Sequence, residues 1–273
     1  MGRERLSVLL LGDDDRAHAG NLLEHLDALR SFSRNRVRLF NPRGVPASRF
    51  LDLNEFDVVV VHYSLVLTSP NYVAPWLIER IREFEGLKVQ FLQDEYRWVD
   101  AVTEMMRHVG IDVLFSIVPP REIEAVYGGR LPSVEIVPTL AGFVPDALAR
   151  RSRPPVPIGR RPVDVGYRGR VLPYWLGALS QEKMAIARGF LAHARPYGLR
   201  CDIAWSEQDR LYGERWIRFL ESCRTTLGTE SGASITDFDG SIERAVRGDP
   251  VGTLVTAGET LFAEPVGQLS SRP

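Results

Sequence analysis

The sequence predicts an α/β protein of two Rossmann-like units, the second of them incomplete. Three observations predict it. Short apolar, often β-branched runs alternate with stretches of helical apolar spacing up to about residue 137. The links between them are short, and right-handed crossovers turn such a series into a parallel sheet. A proline-rich break follows, after which the alternation restarts at 163 and stops after three strands.

The first strand is Leu6-Ser-Val-Leu-Leu-Leu11, which stops at Gly12-Asp-Asp-Asp15. Leu22, Leu23, Leu26 and Leu29 then recur at helical spacing, predicting a helix over roughly 17–31. Arg36 to Phe40 is a second strand closed by Asn41-Pro-Arg-Gly44. Asp57-Val-Val-Val-Val61 lacks polar alternation, which predicts a central strand with Val58–Val61 buried on both faces. Trp76, Leu77, Ile78, Ile81 and Phe84 mark a helix over about 74–85. Lys88–Leu92 is a strand, Asp100–Val109 a helix and Ile111–Ser116 a strand. Pro119-Pro120 open a short helix over 121–127, and Ser133–Val137 is the last strand of this unit.

The prolines and arginines of 150–157 carry no period and read as a linker. The second unit then offers strands at 163–167, 200–205 and 224–228, with helices at about 179–196 and 210–222. The expected organisation is therefore a first domain over 1–146, a linker over 147–162, a partial second domain over 163–247 and an irregular, poorly packed tail over 248–273.

Composition narrows the function. With 44% hydrophobic and 25% charged residues, the chain is that of a folded globular protein. A net charge of −1 supplies no general attraction for nucleic acid or an acidic membrane. Of 34 basic residues only Lys88 and Lys183 are lysines. Cys201 and Cys223 fit neither a zinc site nor a disulfide framework and read as buried thiols. The charged N-terminus leads into only six largely apolar residues, too few for a signal sequence or a membrane span, which predicts a cytoplasmic protein.

In a doubly wound sheet, ligands sit beyond the carboxyl ends of the strands. That rule selects Asp13, Asp14, Asp15 and His18 after the first strand, His62, Tyr63 and Ser64 after the third, and Gln93, Asp94, Glu95, Tyr96 and Arg97 after the fourth. Asp13–Asp15 suit a helix cap as well as a binding role. A phosphoacceptor pocket is excluded because the third strand ends in His62-Tyr63 rather than an aspartate. No Gly-x-Gly-x-x-Gly follows the first strand, which argues against a dinucleotide site.

In the second unit, Gly166-Tyr-Arg-Gly-Arg170 follows a strand, and a glycine turn flanked by Arg168 and Arg170 suits a diphosphate, as it suits a solvated basic turn. Lys183 lies on the next helix. Glu230-Ser-Gly-Ala-Ser234 offers backbone amides and hydroxyls around Gly232. Asp237-Phe-Asp-Gly240 is a candidate cation turn with too few ligands for a calcium loop, and no metal site is expected.

Four segments together resemble bacterial GT-B glycosyltransferases of the surface-polysaccharide type. They are Asp13-Asp-Asp-Arg-Ala-His18 with His25-Leu-Asp27, Phe91-Leu-Gln-Asp-Glu-Tyr96, Asp164-Val-Gly-Tyr-Arg-Gly-Arg170, and Gly228-Thr-Glu-Ser-Gly-Ala-Ser-Ile-Thr-Asp-Phe-Asp-Gly240, and the likeness covers about 5–247. The resemblance implies an acceptor-binding first domain and a donor-binding second one, with a nucleotide-sugar as co-substrate, no further cofactor, and a glycan or other hydroxyl as acceptor. It implies that Arg168, Arg170 and Lys183, with Glu230, Ser231 and Gly232, hold the donor so that no metal is obligatory. Asp94, Glu95 or His18 would orient or deprotonate the acceptor, beside Asp13 and His62. Such donor domains continue well past the Glu-Ser-Gly segment, so the resemblance also implies a truncated or shortened chain. The alternative is a non-catalytic remnant that binds a glycan or a protein.

Overall fold

The computed structural model describes residues 5–15, 20–45, 51–140, 142–150, 156–230 and 232–248. It is α/β, and its described residues group into two compact units, one of 5–157 with 211–221 and the other of 158–210 with 222–248.

The first unit contains β1 (Ser7–Leu11), α1 (Gly20–Ser31), β2 (Arg36–Phe40), β3 (Val58–Val61), α2 (Pro75–Glu83), β4 (Leu87–Phe91), α3 (Val99–Val109), β5 (Val113–Ser116), β6 (Glu135–Pro138) and the short α4 (Asp146–Ala149). All six strands are parallel, in the order β2-β1-β3-β4-β5-β6. This is the flavodoxin-type winding rather than the dinucleotide-binding order, so the chain reverses its direction of growth between β1 and β3. The short helix expected over 121–127 is present as a 3₁₀ turn, Pro120–Glu122, followed by a π-helical turn, Glu124–Gly128.

Right-handed crossovers send the β1–β2 connection over one face and the β3–β4 and β4–β5 connections over the other. Accordingly α2 and α3 pack on each other. The side chains beneath them, Leu9, Leu11, Val59, Val61 and Leu114, are fully buried. The α1 face is more open: Val8, Val58 and Val89 are buried, but Val37, Val60, Phe91, Val113 and Phe115 are only half-buried. β3 is therefore central, as its four valines predict, yet Val60 is not fully covered because it points to the face where helices are fewer.

Lys88 shows how the dry face is held. Its position pairs with Val59 and so lies on the α2–α3 side. Its Nζ donates to the carbonyls of Arg82 and Val109, both at 3.0 Å, at the C-terminal ends of α2 and α3. One ammonium thus answers two helix dipoles and two carbonyls that their own helices leave unpaired. Burial lowers the Lys88 pKa, while Asp112 opposes that shift.

The second unit contains β7 (Val163–Arg168), α5 (Ala178–Ala194), β8 (Cys201–Ala204), β9 (Cys223–Thr226) and α7 (Ser241–Gly248). Its three strands are parallel in the order β8-β7-β9. Between β8 and β9 the chain forms α6 (Glu214–Ser222), of which residues up to 221 group with the first unit. At the amino edge of the sheet Asp164 accepts from the Arg200 amide at 2.9 Å and pairs with Arg224 at 2.8 Å. Arg200 and then Arg224 hold its carboxyl down at about 2. Cys201 and Cys223 are free thiols, the second buried.

The candidate cation turn is a helix cap. The Asp237 carboxylate, 1% exposed, accepts from the amides of Ile242 and Glu243, and Asp239 accepts from that of Ser241, in the first turn of α7. Apart from Gly248, which ends α7, the tail over 248–273 lies outside the described residues. Among the described residues no helix is long and apolar enough to cross a membrane.

Replacing Lys88 by Met keeps the stem and removes both charged hydrogen bonds. The expected loss is about 2 kcal/mol in chemical-denaturant unfolding. An unchanged midpoint would show that water serves the two carbonyls equally well.

Candidate functional site

At the reversal between β1 and β3, polar side chains from both strand ends meet at the carboxyl edge of the first sheet. Asp13 is wholly buried. Its carboxylate accepts from Arg43 Nη1 at 2.9 Å, Asn41 Nδ2 at 3.0 Å and the Asp15 amide at 3.2 Å. Its own amide donates to Ser64 Oγ at 2.9 Å. A buried carboxylate needs such a set of donors, because an unpaired one would be expelled or protonated.

Ser64 passes the network on. Its Oγ lies 2.9 Å from His62 Nδ1, and its amide donates to the same nitrogen at 3.1 Å. A ring nitrogen that accepts an amide N–H carries no proton, so the Ser64 hydroxyl also donates to it. The His62 proton is then on Nε2, which donates to His25 Nδ1 at 2.9 Å. That bond fixes the second tautomer in turn, with the His25 proton on Nε2. Burial, and next the proximity of His25, lower the His62 pKa to about 3. Burial lowers that of His25 as well. Both rings are thus neutral, and around them pack Tyr63, 3.9 Å from His62 between ring centroids, and Phe91, edge-on to His25 at 5.7 Å.

His25 reaches this position because Gly12 lets α1 approach the end of β1. A Cβ at Gly12 would stand 2.6 Å from Leu26 Cδ2. Sequence reasoning placed His62 and Asp13 at the edge but missed His25 and Ser64 as their link. The signal was present: His25 falls on the apolar stripe of the helix, three residues after Leu22 and four before Leu29.

The β4 end is organised separately. Glu95 is buried, and its carboxylate accepts from Ser116 Oγ at 2.7 Å, the Ile117 amide at 2.6 Å and the Tyr127 hydroxyl. Burial and the Glu95 carboxylate push the Tyr127 pKa far up. Glu95 thereby ties the β4, β5 and 124–128 segments together. Its neighbour Asp94 is exposed and sits at φ 60°, and Trp98 follows at φ 55°. Two left-handed non-glycine residues in one turn cost about 1 kcal/mol each, a form of strain that clusters at ligand-facing loops. Asp13 and His62 thus share one network, Glu95 belongs to another, and His18 lies outside the described residues.

In the second unit the chain reverses between β7 and β9, and the same edge rule applies. Arg168 turns back into the sheet: Nη1 donates to the Tyr167 and Asp202 carbonyls at 2.9 and 3.0 Å, and Nη2 pairs with the Asp202 carboxylate at 2.9 Å. Arg170 is exposed and Lys183 half-buried. Burial, then the neighbouring Arg170 charge, lower the Lys183 pKa. The segment after β9 folds over the start of α5, where Ser234 Oγ accepts from the Leu179 amide at 3.3 Å and the Ser234 amide donates to Leu176 O at 2.9 Å. Glu230 is exposed, Gly232 adopts φ 113°, a conformation suited to glycine alone, and Ser231 lies outside the described residues. Among the described residues no group of three or more His, Cys, Asp or Glu side chains is placed to hold a metal ion.

No known protein family, curated protein or solved structure matches the chain.

The neutral His62 makes stability depend on pH. Below about 6.5 the unfolded chain takes up a proton that the folded chain refuses until about 3, so stability is full above 6.5 and falls as pH drops towards 3. Unfolding free energies from urea titrations at pH 7.5, 6.5 and 5.5 should decline by up to ~1.4 kcal/mol per pH unit below 6.5. The His62→Gln variant should lose most of that slope. Equal slopes in the two proteins would place the proton elsewhere.

Proposed function

We propose that the chain transfers a glycosyl group from a nucleotide-sugar to an acceptor hydroxyl, its second unit holding the donor diphosphate. The observation that carries the reading is the Arg170–Lys183 pair. The two cations lie close enough to repel, and among the described residues neither has a carboxylate partner. In the same unit the start of α5, the glycine turn at 232 and the Ser234 hydroxyl are groups suited to phosphate oxygens.

In the reaction, the bond from the anomeric carbon to the diphosphate oxygen breaks as the bond to the acceptor oxygen forms. Arg170 and Lys183 neutralise the charge that develops on the leaving diphosphate. Arg168, engaged by Asp202, holds the β7–β8 pair and positions the turn that carries Arg170. Of the adjacent pair Asp94 and Glu95 in the first unit, Asp94 is exposed and suited to take an acceptor proton, whereas Glu95 is held by three donors. Binding without transfer is the second reading, favoured by a second sheet of only three strands among the described residues.

Titration calorimetry with UDP-, GDP- and dTDP-sugars tests the first step. One of these should bind, and Arg170→Ala and Lys183→Ala should each weaken it by about 10-fold, the worth of one charge-assisted bond. Absence of binding to all of them removes the donor reading. Binding without release of nucleoside diphosphate across an acceptor panel selects the second reading. If release occurs, Asp94→Asn should reduce its rate by at least about 100-fold with little change in nucleotide affinity.

A further inference from the structure

We infer that the groove between α1 and residues 139, 140, 142 and 143 of the first unit is a binding site for a small aromatic molecule carrying a carbonyl-type oxygen, which accepts the Nε2–H of His25. The groove has a volume of about 590 Å³ and is lined by His25, Leu29, Phe32, Thr139, Leu140 and Phe143 among others. That is the size and largely apolar character of small-molecule sites, in which a few fixed polar groups set orientation. The site does not depend on the diphosphate reading, which concerns the other unit.

His25 is the group that turns an apolar groove into a selective one. Its Nδ1 faces inward and accepts from His62, so its Nε2–H is the polar group on the opposite edge of the ring, and no other described residue pairs with it. The chain from the Asp13 amide through Ser64 and His62 holds the tautomer, so the groove is offered a donor and not a base. A ligand oxygen that accepts a hydrogen bond is matched. An apolar atom at the same place strands the N–H without water, and a donor group clashes with it.

The aromatic part of the assignment comes from the walls. Phe32 and Phe143 stand 5.8 Å apart between ring centroids with their planes tilted by 51°. Phe32 is 69% and Leu140 84% exposed, a degree of apolar exposure that an occupant of the groove would relieve. Phe91, which meets His25 edge-on, stacks on Phe115 at 4.5 Å and extends the aromatic floor behind the imidazole. A planar ring fits between such walls by offset or edge contacts.

The test uses the full chain labelled with ¹⁵N-histidine. Long-range ¹H–¹⁵N spectra of the unliganded protein should show His62 and His25 as neutral Nε2–H tautomers; a proton on His25 Nδ1 would overturn the inference without any variant. Acetophenone and 2-acetylnaphthalene are then titrated beside cumene and 2-isopropylnaphthalene, which keep the shape and lack the oxygen. The ketones should bind at least 10-fold more tightly, shift the His25 Nε2 proton, and lose that advantage in His25→Phe. Equal affinity for ketone and hydrocarbon would reduce the groove to greasy surface, and no perturbation by any of the four would remove the site. Self-association of the chain that Leu140→Asp abolishes, with no ketone bound, would assign the face to a second copy instead.

Discussion

The position of β1 between β2 and β3 is the constraint from which the first unit follows. A parallel sheet must cross over after every strand, and a fixed crossover hand means that reversing direction within the sheet moves the connections to the opposite face. The β1–β2 connection and the β3–β4 connection therefore diverge, and the carboxyl ends of β1 and β3 are left with no helix lying across both. That gap has to be filled by the residues that end the two strands. Asp13 and His62 fill it, with Ser64 between them. The second unit repeats the arrangement around β7, and beyond it the segment after β9 folds against the start of α5, where the Ser234 amide donates to Leu176 O.

Filling the gap with polar groups imposes a strict rule of satisfaction. Asp13 and His62 have no exposed surface, so each donor and acceptor must be met from within. Asp13 meets this with a guanidinium, an amide side chain and a backbone amide. The histidines meet it by sharing protons in a fixed direction, and their neutrality is a consequence of burial rather than an independent property. The Glu95 cluster obeys the same rule two strands away, with one carboxylate serving a serine, a tyrosine and a backbone amide. Holding Glu95 inward leaves the preceding turn little freedom, and Asp94 adopts left-handed backbone at the surface.

The strands were legible because burial on both faces writes a near-continuous apolar run, as in Val58–Val61, and because the first two runs stop at Gly12 and Asn41. The coarse positions of Asp13, His62 and Asp94 followed from the carboxyl-edge rule, which needs no knowledge of strand order. Partnerships were not legible, since they depend on register between strands far apart in the chain. Arg168 and Arg170 look equivalent in Gly166-Tyr-Arg-Gly-Arg170, yet Arg168 ends β7 and meets Asp202 across the ladder, whereas Arg170 lies beyond it. α7 was missed for a related reason: eight residues have little helical period of their own, and the carboxylates that start the helix lie before it in what reads as a turn.

The two faces of the first sheet carry different duties, and the sequence order of the strands assigns them. Three successive strands, β3 to β5, are linked over one side, so α2 and α3 accumulate there and seal it, with Lys88 clasping their carbonyl ends. The other side receives α1 early in the chain, and Val60, Phe91, Val113 and Phe115 keep partial exposure. A sheet sealed on both faces would be more stable and would have nowhere to admit a ligand except its edge. Here the open face and the polar edge meet at one residue: His25 belongs to the helix that covers the open face and to the proton-sharing chain that fills the gap between β1 and β3. Whatever binds at His25 is therefore coupled through two hydrogen bonds to Ser64 and through a third to Asp13, and moving the His25 proton to Nδ1 would put the His62 proton on Nδ1 and break its bond from the Ser64 amide, which can only donate.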